Sequence, residues 1–166
     1  MKTNSETVYY IYKHIMPVAL SYLPGQMNSP GAKAELLAIG GQESDGFNAR
    51  VQYGGGPAHG FWQFEKGGAV KGVLTHPSTS IIIQPVLHVL RYSADINACY
   101  EAITHNDVLA CVFARLLLWT VPGSLPTVNE PDKGWHQYLS GWNPGKPHPK
   151  TWAKNFAEGW QTVLHE

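Results

Sequence analysis

The segment PGAKAELLAIGGQE, from Pro30 to Glu43, decides the fold of this chain. Ser29 stands directly before Pro30, and this pair is typical of an N-cap followed by proline at the first helical position. We therefore expect a helix that continues to about Ser44. A rotation of about 100° per residue places four residues in one narrow sector of that helix. They are Ala32, Leu36, Ile39 and Glu43. Because this sector is otherwise apolar, Glu43 is expected to point toward the edge of the core.

This placement gives Glu43 a possible chemical role. A carboxyl group partly removed from water has a raised pKa. A carboxylic acid that stays neutral near pH 7 is the proton donor that a glycosidase needs at the departing sugar oxygen. The pattern alone leaves a second interpretation open, in which Glu43 is a structural residue that reaches water or pairs with a base such as Arg50.

Helical periodicity continues on both sides of this segment. An N-terminal helix is expected to end at Leu23-Pro24-Gly25. Residues 45–79 are rich in glycine, which predicts a loop, short turns or a small hairpin. Further helices are expected over 80–92, 94–104, 107–120 and 134–140, and at the C-terminus, where Trp152, Phe156, Trp160 and Val163 form one stripe. The chain is predicted to be a mainly α, single domain over residues 1–166, with the glycine-rich region following the helix that ends at Glu43.

Composition excludes several classes of protein. The 166 residues are 43% hydrophobic and only 14% charged, which argues against a disordered chain or a charged linker. Basic and acidic residues each number 12, so the net charge is zero with histidine neutral. A basic surface for nucleic acid is therefore not expected.

Cysteines and apolar stretches add further expectations. Cys99 and Cys111 are too few for a disulfide framework and are expected to be buried free thiols. The apolar stretch from Val108 to Val121 is interrupted by Arg115 and is too short to span a membrane. Residues 1–6 lack the apolar segment of a secretory signal. We expect a soluble chain that is made in the cytoplasm without a signal peptide.

Three motifs give the chain a family resemblance. They are Gln42-Glu43-Ser44 followed by Gly46-Phe47-Asn48, then Gly60-Phe61-Trp62-Gln63, and Trp142-Asn143-Pro144-Gly145 near the C-terminus. Their order and spacing resemble the lysozyme-like soluble lytic transglycosylase family, which is related to goose-type lysozymes. The resemblance covers about residues 32–66 and 138–146.

The resemblance implies a lysozyme-like fold and a role for each matching residue. Glu43 would be the general acid and then the general base. Ser44 would form a hydrogen bond near the acid or the substrate, or would simply cap the helix end. Gly60 would let the backbone approach the sugar, and Gln63 would bind sugar or hold Glu43. Asn143 would face the cleft or cap a loop.

Aromatic residues near these motifs are candidates for the cleft wall. Trp142 stands where the family has tyrosine, so a hydroxyl contact to Glu43 would have to come from elsewhere, and Tyr138 is the candidate. Trp62 and Trp142 are predicted to border one groove, where an indole can stack on the apolar face of a sugar. Trp62 occupies a position that the family fills with methionine, so an inward, core position is the alternative.

The implied substrate is bacterial peptidoglycan, cleaved at the β-1,4 bond between MurNAc and GlcNAc. In the resembled family one glutamate suffices, because the C6 hydroxyl of muramic acid attacks and gives a 1,6-anhydro product. A hydrolytic muramidase would use a second carboxylate, for which Asp45, Glu65, Glu130 and Asp132 are candidates. Asp45 is expected to face away, whereas Glu65 could face the cleft. A chitinase-like endolysin needs a second glutamate soon after the first, and only Asp45 lies between Glu43 and Glu65.

Two alternatives belong to other classes. A zinc amidase would need clustered ligands, but the eight histidines form no His-Glu-x-x-His pair, so no metal or other cofactor is expected. A non-catalytic wall-binding module could use Trp62, Trp135 and Trp142 as stacking platforms.

The expected biological setting follows from the implied substrate. A small wall-cleaving domain without a signal peptide is typical of a phage endolysin or a virion-associated lysin, which acts in the periplasm or at the cell wall. A lysozyme delivered by a bacterial secretion system is the other possibility. The chain is expected to act as a monomer.

Overall fold

The computed structural model describes the backbone of residues 4–165 and the side chains of residues 6–165. Residues 1–3, which are part of the segment 1–6 where no secretory signal is expected, lie outside the described residues. The α-helices are α1 Asn4–Tyr10, α2 Met16–Ser21, α3 Pro30–Glu43, α4 Lys71–Thr75, α5 Pro77–Leu90, α6 Ile96–His105, α7 Asp107–Trp119, α8 Pro131–Trp142 and α9 Pro149–Leu164. Within residues 4–165 there is no β-strand, and the prediction of a mainly α fold is confirmed.

Helix α3 lies at the centre of the packing and has the predicted bounds. Ser29 caps it, because its Oγ accepts a hydrogen bond of 3.1 Å from the backbone N–H of Ala32. Residues of α3 are buried on almost every side, so the helix is a core helix and not an amphipathic surface helix. Helix α9 packs closely along it: a Cβ atom at Gly159 would lie only 2.6 Å from the carbonyl oxygen of Ala34.

One ionisable residue, Glu35, is buried in this packing. Glu35 is fully buried in α3, and neither of its carboxyl oxygens has a hydrogen-bond partner. Gly134 of α8 lies against it, since a Cβ atom there would be 2.7 Å from Oε2 of Glu35. Burial raises the pKa of Glu35 to about 8, so the side chain is mainly protonated at neutral pH.

Helix α7 forms the other buried axis of the fold. Asn106 caps it by accepting a hydrogen bond of 3.0 Å from the N–H of Leu109. Residues Leu109 to Leu118 are all buried. In the described part of the chain no single helix is long and apolar enough to cross a membrane; α6 and α7 pass that test only when joined, and they are bent by 119° at their break.

Both cysteines are buried and free, as expected from the sequence. Burial raises the pKa of Cys99 to about 11 and that of Cys111 to about 12. Neither side chain is therefore a reactive thiolate at neutral pH.

The N-terminal helix is interrupted by a π-helical turn at Ile11–Ile15. The N–H of Met16 bonds the carbonyl of Ile11, five residues earlier. Pro17, which follows, has no N–H to continue the ordinary ladder. The interruption therefore lies where proline breaks the i→i−4 pattern.

The glycine-rich region was only partly predicted. It contains turns and two isolated antiparallel bridges, Val51–His59 and His59–Phe64, instead of a hairpin with regular strands. The expectation of loop up to residue 79 is wrong, because a π-helical turn at Lys66–Val70 leads into α4. Val70, Val73 and Leu74 are buried there, and their packing outweighs the low helix propensity of the adjacent glycines.

Two helices begin three residues earlier than expected. Helix α5 starts at Pro77, where the side chain of His76 accepts a hydrogen bond of 3.1 Å from the N–H of Ser78. Helix α8 starts at Pro131. In both cases proline occupies the first turn, where its missing N–H has no intrahelical partner to lose.

Candidate active site

Glu43 is the last residue of α3, and Ser44 ends the helix. The N–H of Ser44 bonds the carbonyl of Gly40 at 3.0 Å, and its Oγ donates to the same oxygen at 2.6 Å. The serine hydroxyl is thus used by the helix end, which is the structural alternative for Ser44. The side chain is 1% exposed, although the residue lines the cleft described below.

The chain reverses direction directly after Ser44. Asp45, Gly46 and Phe47 have φ angles of 53°, 70° and 64°. A left-handed conformation is strained for a bulky residue, and the buried Phe47 ring compensates by packing over Gly40. A Cβ atom at Gly40 would lie 2.4 Å from that ring, so only glycine fits there. The turn fixes the direction of the chain that leaves Glu43.

Tyr138 supplies the hydroxyl contact to Glu43, as predicted. Its phenolic O–H donates a hydrogen bond to Oε1 of Glu43. The ring of Tyr138 stacks on that of Trp152, with 5.4 Å between ring centroids and 6° between planes. Helix α8 provides Tyr138 and helix α9 provides Trp152, so both helices hold the hydroxyl in place.

Burial raises the pKa of Glu43 to about 7, and the hydrogen bond from Tyr138 opposes the rise. The raised pKa agrees with the expectation from the sequence. The interpretation that Arg50 pairs with Glu43 is wrong, because Arg50 binds both oxygens of Asp107 at 2.9 and 2.8 Å. Glu43 can therefore exchange a proton near neutral pH.

Glu43 faces a cleft of about 830 Å³, which we call the main cleft. Six of the predicted site residues line it: Glu43, Ser44, Gln63, Tyr138, Trp142 and Asn143. They come from the end of α3, the glycine-rich region and the end of α8. The structure thus brings together residues that are up to 100 positions apart in the chain.

The residues at the end of α8 combine two functions. Trp142 is half-buried and its Nε1 donates a hydrogen bond of 2.9 Å to the carbonyl of Trp62. Asn143 adopts a left-handed conformation with φ of 44°, and its N–H bonds the carbonyl of Leu139. Asn143 therefore caps the helix and also lines the main cleft, which combines the two roles considered for it.

Gln63, in the glycine-rich region, also lines the main cleft. It has a φ of 50°, and its Nε2 donates a hydrogen bond of 2.9 Å to the carbonyl of Gly60. This contact fixes the amide within its own turn. Of the two roles expected for Gln63, the bond to Glu43 is not among the described contacts, because the amide donates to Gly60 instead.

Two predicted site residues are placed elsewhere. Trp62 is 0% exposed, and its Nε1 donates to the carbonyl of Leu36 at 2.9 Å, so the prediction that it stacks on sugar is wrong and the core alternative holds. Gly60 is also buried. A Cβ atom there would lie 2.7 Å from Cγ2 of Ile103, so the close backbone approach is to a core side chain and not to a ligand in the main cleft.

Of the four candidates for a second catalytic carboxylate, only Glu65 lines the main cleft. Glu65 is exposed and lines the main cleft, as the sequence allowed. Asp45 is exposed, and its Oδ2 accepts a hydrogen bond of 3.3 Å from the hydroxyl of Tyr53. Neither Asp45 nor Glu130 nor Asp132 is among the residues that line the main cleft.

Gln42 is a site residue that sequence reasoning missed. Its Nε2 donates to the carbonyl of His148 at 2.8 Å. Its Oε1 accepts from Oγ1 of Thr151 at 3.0 Å and from Nδ2 of Asn155 at 2.8 Å. These bonds attach the end of α3 to the beginning of α9. Its position directly before Glu43 was the only sequence signal.

Neither a metal site nor a comparison with known proteins identifies the function of the main cleft. Among residues 4–165, no group of three His, Cys, Asp or Glu side chains is placed to hold a metal ion. The chain matches no protein-family model, no curated protein and no solved structure.

Proposed function

We propose that this chain is a lysozyme-like glycosidase that cleaves the MurNAc-GlcNAc β-1,4 bond of bacterial peptidoglycan, with Glu43 as general acid and base. One observation carries the proposal: a carboxyl group with a pKa of about 7 lies in a large cleft and is held by a tyrosine hydroxyl. An acid of that pKa is half protonated at neutral pH, which suits a group that must first give and then take a proton. The order and spacing of the three motifs support the choice of substrate.

In the first step Glu43 donates its proton to the oxygen of the scissile bond. The bond between that oxygen and C1 of the muramic acid breaks, its electron pair stays on the oxygen, and the sugar ring takes on oxocarbenium character. Oε1 of Glu43 accepts from Tyr138, and no described hydrogen bond reaches Oε2. Oε2 is therefore the oxygen that carries the proton to the substrate.

In the second step the carboxylate of Glu43 removes the proton of the C6 hydroxyl. That oxygen then attacks C1 and closes the 1,6-anhydro ring, so the proton given in the first step is regained. The bond from Tyr138 stabilises the carboxylate between the two steps, as a donor to a charged acceptor does. No second carboxylate is needed.

A second candidate is hydrolysis of the same bond, and one observation favours it. Glu65 lines the main cleft together with Glu43, so a second carboxylate is available to activate water. The chitinase-like alternative has less support, because Asp45 bonds Tyr53 and does not line the main cleft. The wall-binding alternative loses one of its stacking platforms, since Trp62 is fully buried.

The test is digestion of purified sacculi, followed by mass spectrometry of the released muropeptides. Glu43→Gln should lower the rate by about 10² to 10⁴-fold or more, because the amide cannot donate the proton. Glu101→Gln is the matched control, since Glu101 is exposed on α6 outside the main cleft. A Glu43→Gln protein that digests sacculi at the wild-type rate would refute the proposal.

The same digest separates the two products. Muropeptides that end in 1,6-anhydromuramic acid support the intramolecular step, and Glu65→Gln should then retain most of the activity. Reducing muramic acid ends show that water is the acceptor, and Glu65→Gln should then lose activity. Action at the bacterial wall, in phage lysis or virion entry, is the setting that we propose for this chemistry.

A further inference from the structure

Tyr53 is an exposed aromatic residue that the proposed reaction does not use. Its side chain is 69% exposed, the largest fraction of any Phe, Tyr or Trp between residues 6 and 165, and it lines the main cleft. The rings of two other tyrosines are occupied, because Tyr138 stacks on Trp152 and Tyr100 stacks on His59. In the described part of the chain no aromatic ring packs on Tyr53 in this way. Most of its ring is therefore open to a ligand.

A closed loop holds Tyr53 at the edge of the main cleft. The N–H of Gln52 donates to the carbonyl of Ala58 at 2.9 Å, which closes the base of the loop, and the N–H of Gly55 donates to the carbonyl of Gln52 at 3.1 Å. The side-chain Oε1 of Gln52 accepts from the N–H of Ala58 at 3.3 Å. A Cβ atom at Gly56 would lie 2.1 Å from this Oε1, so the amide fills the inside of the loop. Because these bonds already order the backbone around Tyr53, a ligand that binds there has less loop entropy to overcome.

The hydroxyl of Tyr53 shows that its ring lies near Glu43. It donates a hydrogen bond of 3.3 Å to Oδ2 of Asp45, which follows Glu43 by two residues. Consecutive Cα atoms are about 3.8 Å apart, so the Cα atoms of Asp45 and Glu43 are within about 8 Å of each other. Glu43 and Tyr53 also line the same cleft. The ring therefore lies beside the proposed acid, where a neighbouring sugar of the same strand would pass.

The charge next to this ring is negative. The carboxylate of Asp45 accepts from the hydroxyl of Tyr53, and Glu65 lines the same cleft. Lys146 also lines the main cleft, but no described ion pair joins it to Asp45. A sugar that carries a carboxylate is repelled by a carboxylate at the edge of the ring, whereas a neutral sugar is not.

We propose that Tyr53 is a sugar-binding residue that stacks on a neutral N-acetylglucosamine ring in the main cleft. One face of such a sugar consists of C–H groups, and the phenol ring offers it a flat apolar surface. In the proposed substrate muramic acid alternates with N-acetylglucosamine, so both neighbours of the muramic acid whose bond Glu43 cleaves are neutral sugars. The assignment rests on the proposed function and adds to it a residue that selects the sugar.

The first experiment measures the binding of chitotetraose, four β-1,4-linked N-acetylglucosamine units, by calorimetry. All proteins carry Glu43→Gln, so that the ligand is not consumed. Tyr53→Ala should bind about tenfold more weakly than the parent, because the stacking surface is lost. Tyr53→Phe should stay within about twofold of the parent, because only the hydroxyl and its bond to Asp45 are removed.

Tyr9→Ala is the matched control for this experiment. Tyr9 is 48% exposed on α1 and does not line the main cleft, so its loss should leave the affinity unchanged. Equal affinities of Tyr53→Ala and the parent would overturn the proposal. An equally large loss in Tyr53→Phe would overturn it too, because the hydroxyl and not the ring would then carry the binding.

The preference for a neutral sugar is tested by NMR of the Tyr53 ring, whose signals are identified by their absence in Tyr53→Phe. N-acetylglucosamine should bind several-fold more tightly than N-acetylmuramic acid, which carries a carboxylate, and Asp45→Asn should reduce this difference. Equal binding of the two sugars to the parent would refute the preference. A difference that Asp45→Asn leaves unchanged would refute its electrostatic cause.

Digestion of sacculi separates this inference from the proposed function. With Glu43 intact, Tyr53→Ala should raise KM more than it lowers kcat, because the ring binds a sugar that does not react. Active wild type together with undiminished chitotetraose affinity in Tyr53→Ala would overturn the inference alone. A wild type that releases no muropeptides, with the tenfold loss of affinity still observed, would overturn the proposed function and retain the sugar-binding role. No binding of chitotetraose to the parent up to about 10 mM would overturn the inference whatever the digestion shows.

Discussion

Replacement of Tyr138 by phenylalanine is the sharpest test of the candidate site. The change removes the hydroxyl that donates to Oε1 of Glu43 and leaves the ring that stacks on Trp152. Burial still raises the pKa of Glu43, but the one contact that opposes the rise is lost. A hydrogen bond to a charged group contributes roughly 1.5–3 kcal/mol, and about 1.4 kcal/mol corresponds to one pKa unit. The pKa of Glu43 should therefore rise from about 7 by roughly one to two units.

The assay is a ¹³C NMR titration of the Glu43 carboxyl carbon between about pH 5 and pH 10, beside a pH–rate profile on sacculi. A proton donor stays competent up to its pKa, so the alkaline limb of the profile should move upward with the NMR titration. The maximum rate should fall, because the carboxylate formed by proton donation has lost its stabilising donor.

Tyr100→Phe is the control for this experiment. Its hydroxyl donates to the carbonyl of Pro57 at 2.6 Å and does not line the main cleft. Removing it should leave the titration of Glu43 unchanged. The reasoning is refuted if Tyr138→Phe leaves the pKa of Glu43 where it was or lowers it.

Three further predictions concern buried positions. The pKa of Glu35 is 4.5 when the side chain is exposed and about 8 in the folded protein. Between these values the folded state holds a proton that the unfolded state has released, so the free energy of unfolding falls as pH rises from about 4.5 to about 8. The loss of unfolding free energy at pH 7, relative to acid pH, is about 3 kcal/mol. In urea unfolding, Glu35→Gln should therefore be more stable than wild type at pH 7 but not at pH 4. Trp62→Ala should lose about 3–5 kcal/mol of stability by the same measurement, whereas Trp142→Ala should lose less and weaken saccharide binding in calorimetry. Gly40→Ala should lower the melting temperature despite the better helix propensity of alanine, because the new Cβ atom would displace the Phe47 ring.

The position of Glu43 at the end of a helix could be predicted from the sequence, because the bounds of α3 depend on local signals. A capped start at Ser29 and a regular period were enough to place the carboxyl at the edge of the core. The contact from Tyr138 was predicted from a motif in which the expected tyrosine is replaced. The helix depends on local rules, whereas the Tyr138 contact joins residues 95 positions apart and was expected only from the family resemblance.

Other features depend on packing between distant segments and could not be predicted. From the motif Gly60-Phe61-Trp62-Gln63 alone, the side chain that faces the core cannot be identified. In the structure Trp62 is buried, whereas Gln63 lines the main cleft. The burial of Glu35 depends on a distant segment, because Gly134 of α8 lies against its carboxyl group. The helix α4 forms in a segment of poor propensity because apolar residues there reach the core.

The attachment of Gln42 to α9 also determines when the site can form. Gln42 bonds residues that are 106 to 113 positions later in the chain. Trp152, which stacks on Tyr138, is also synthesised long after Gln42. A ribosome therefore completes α3 long before it completes the contacts that hold Glu43 in position. We expect growing chains to carry the acid in an unfinished environment, so that proton-donating competence appears with the synthesis of α9.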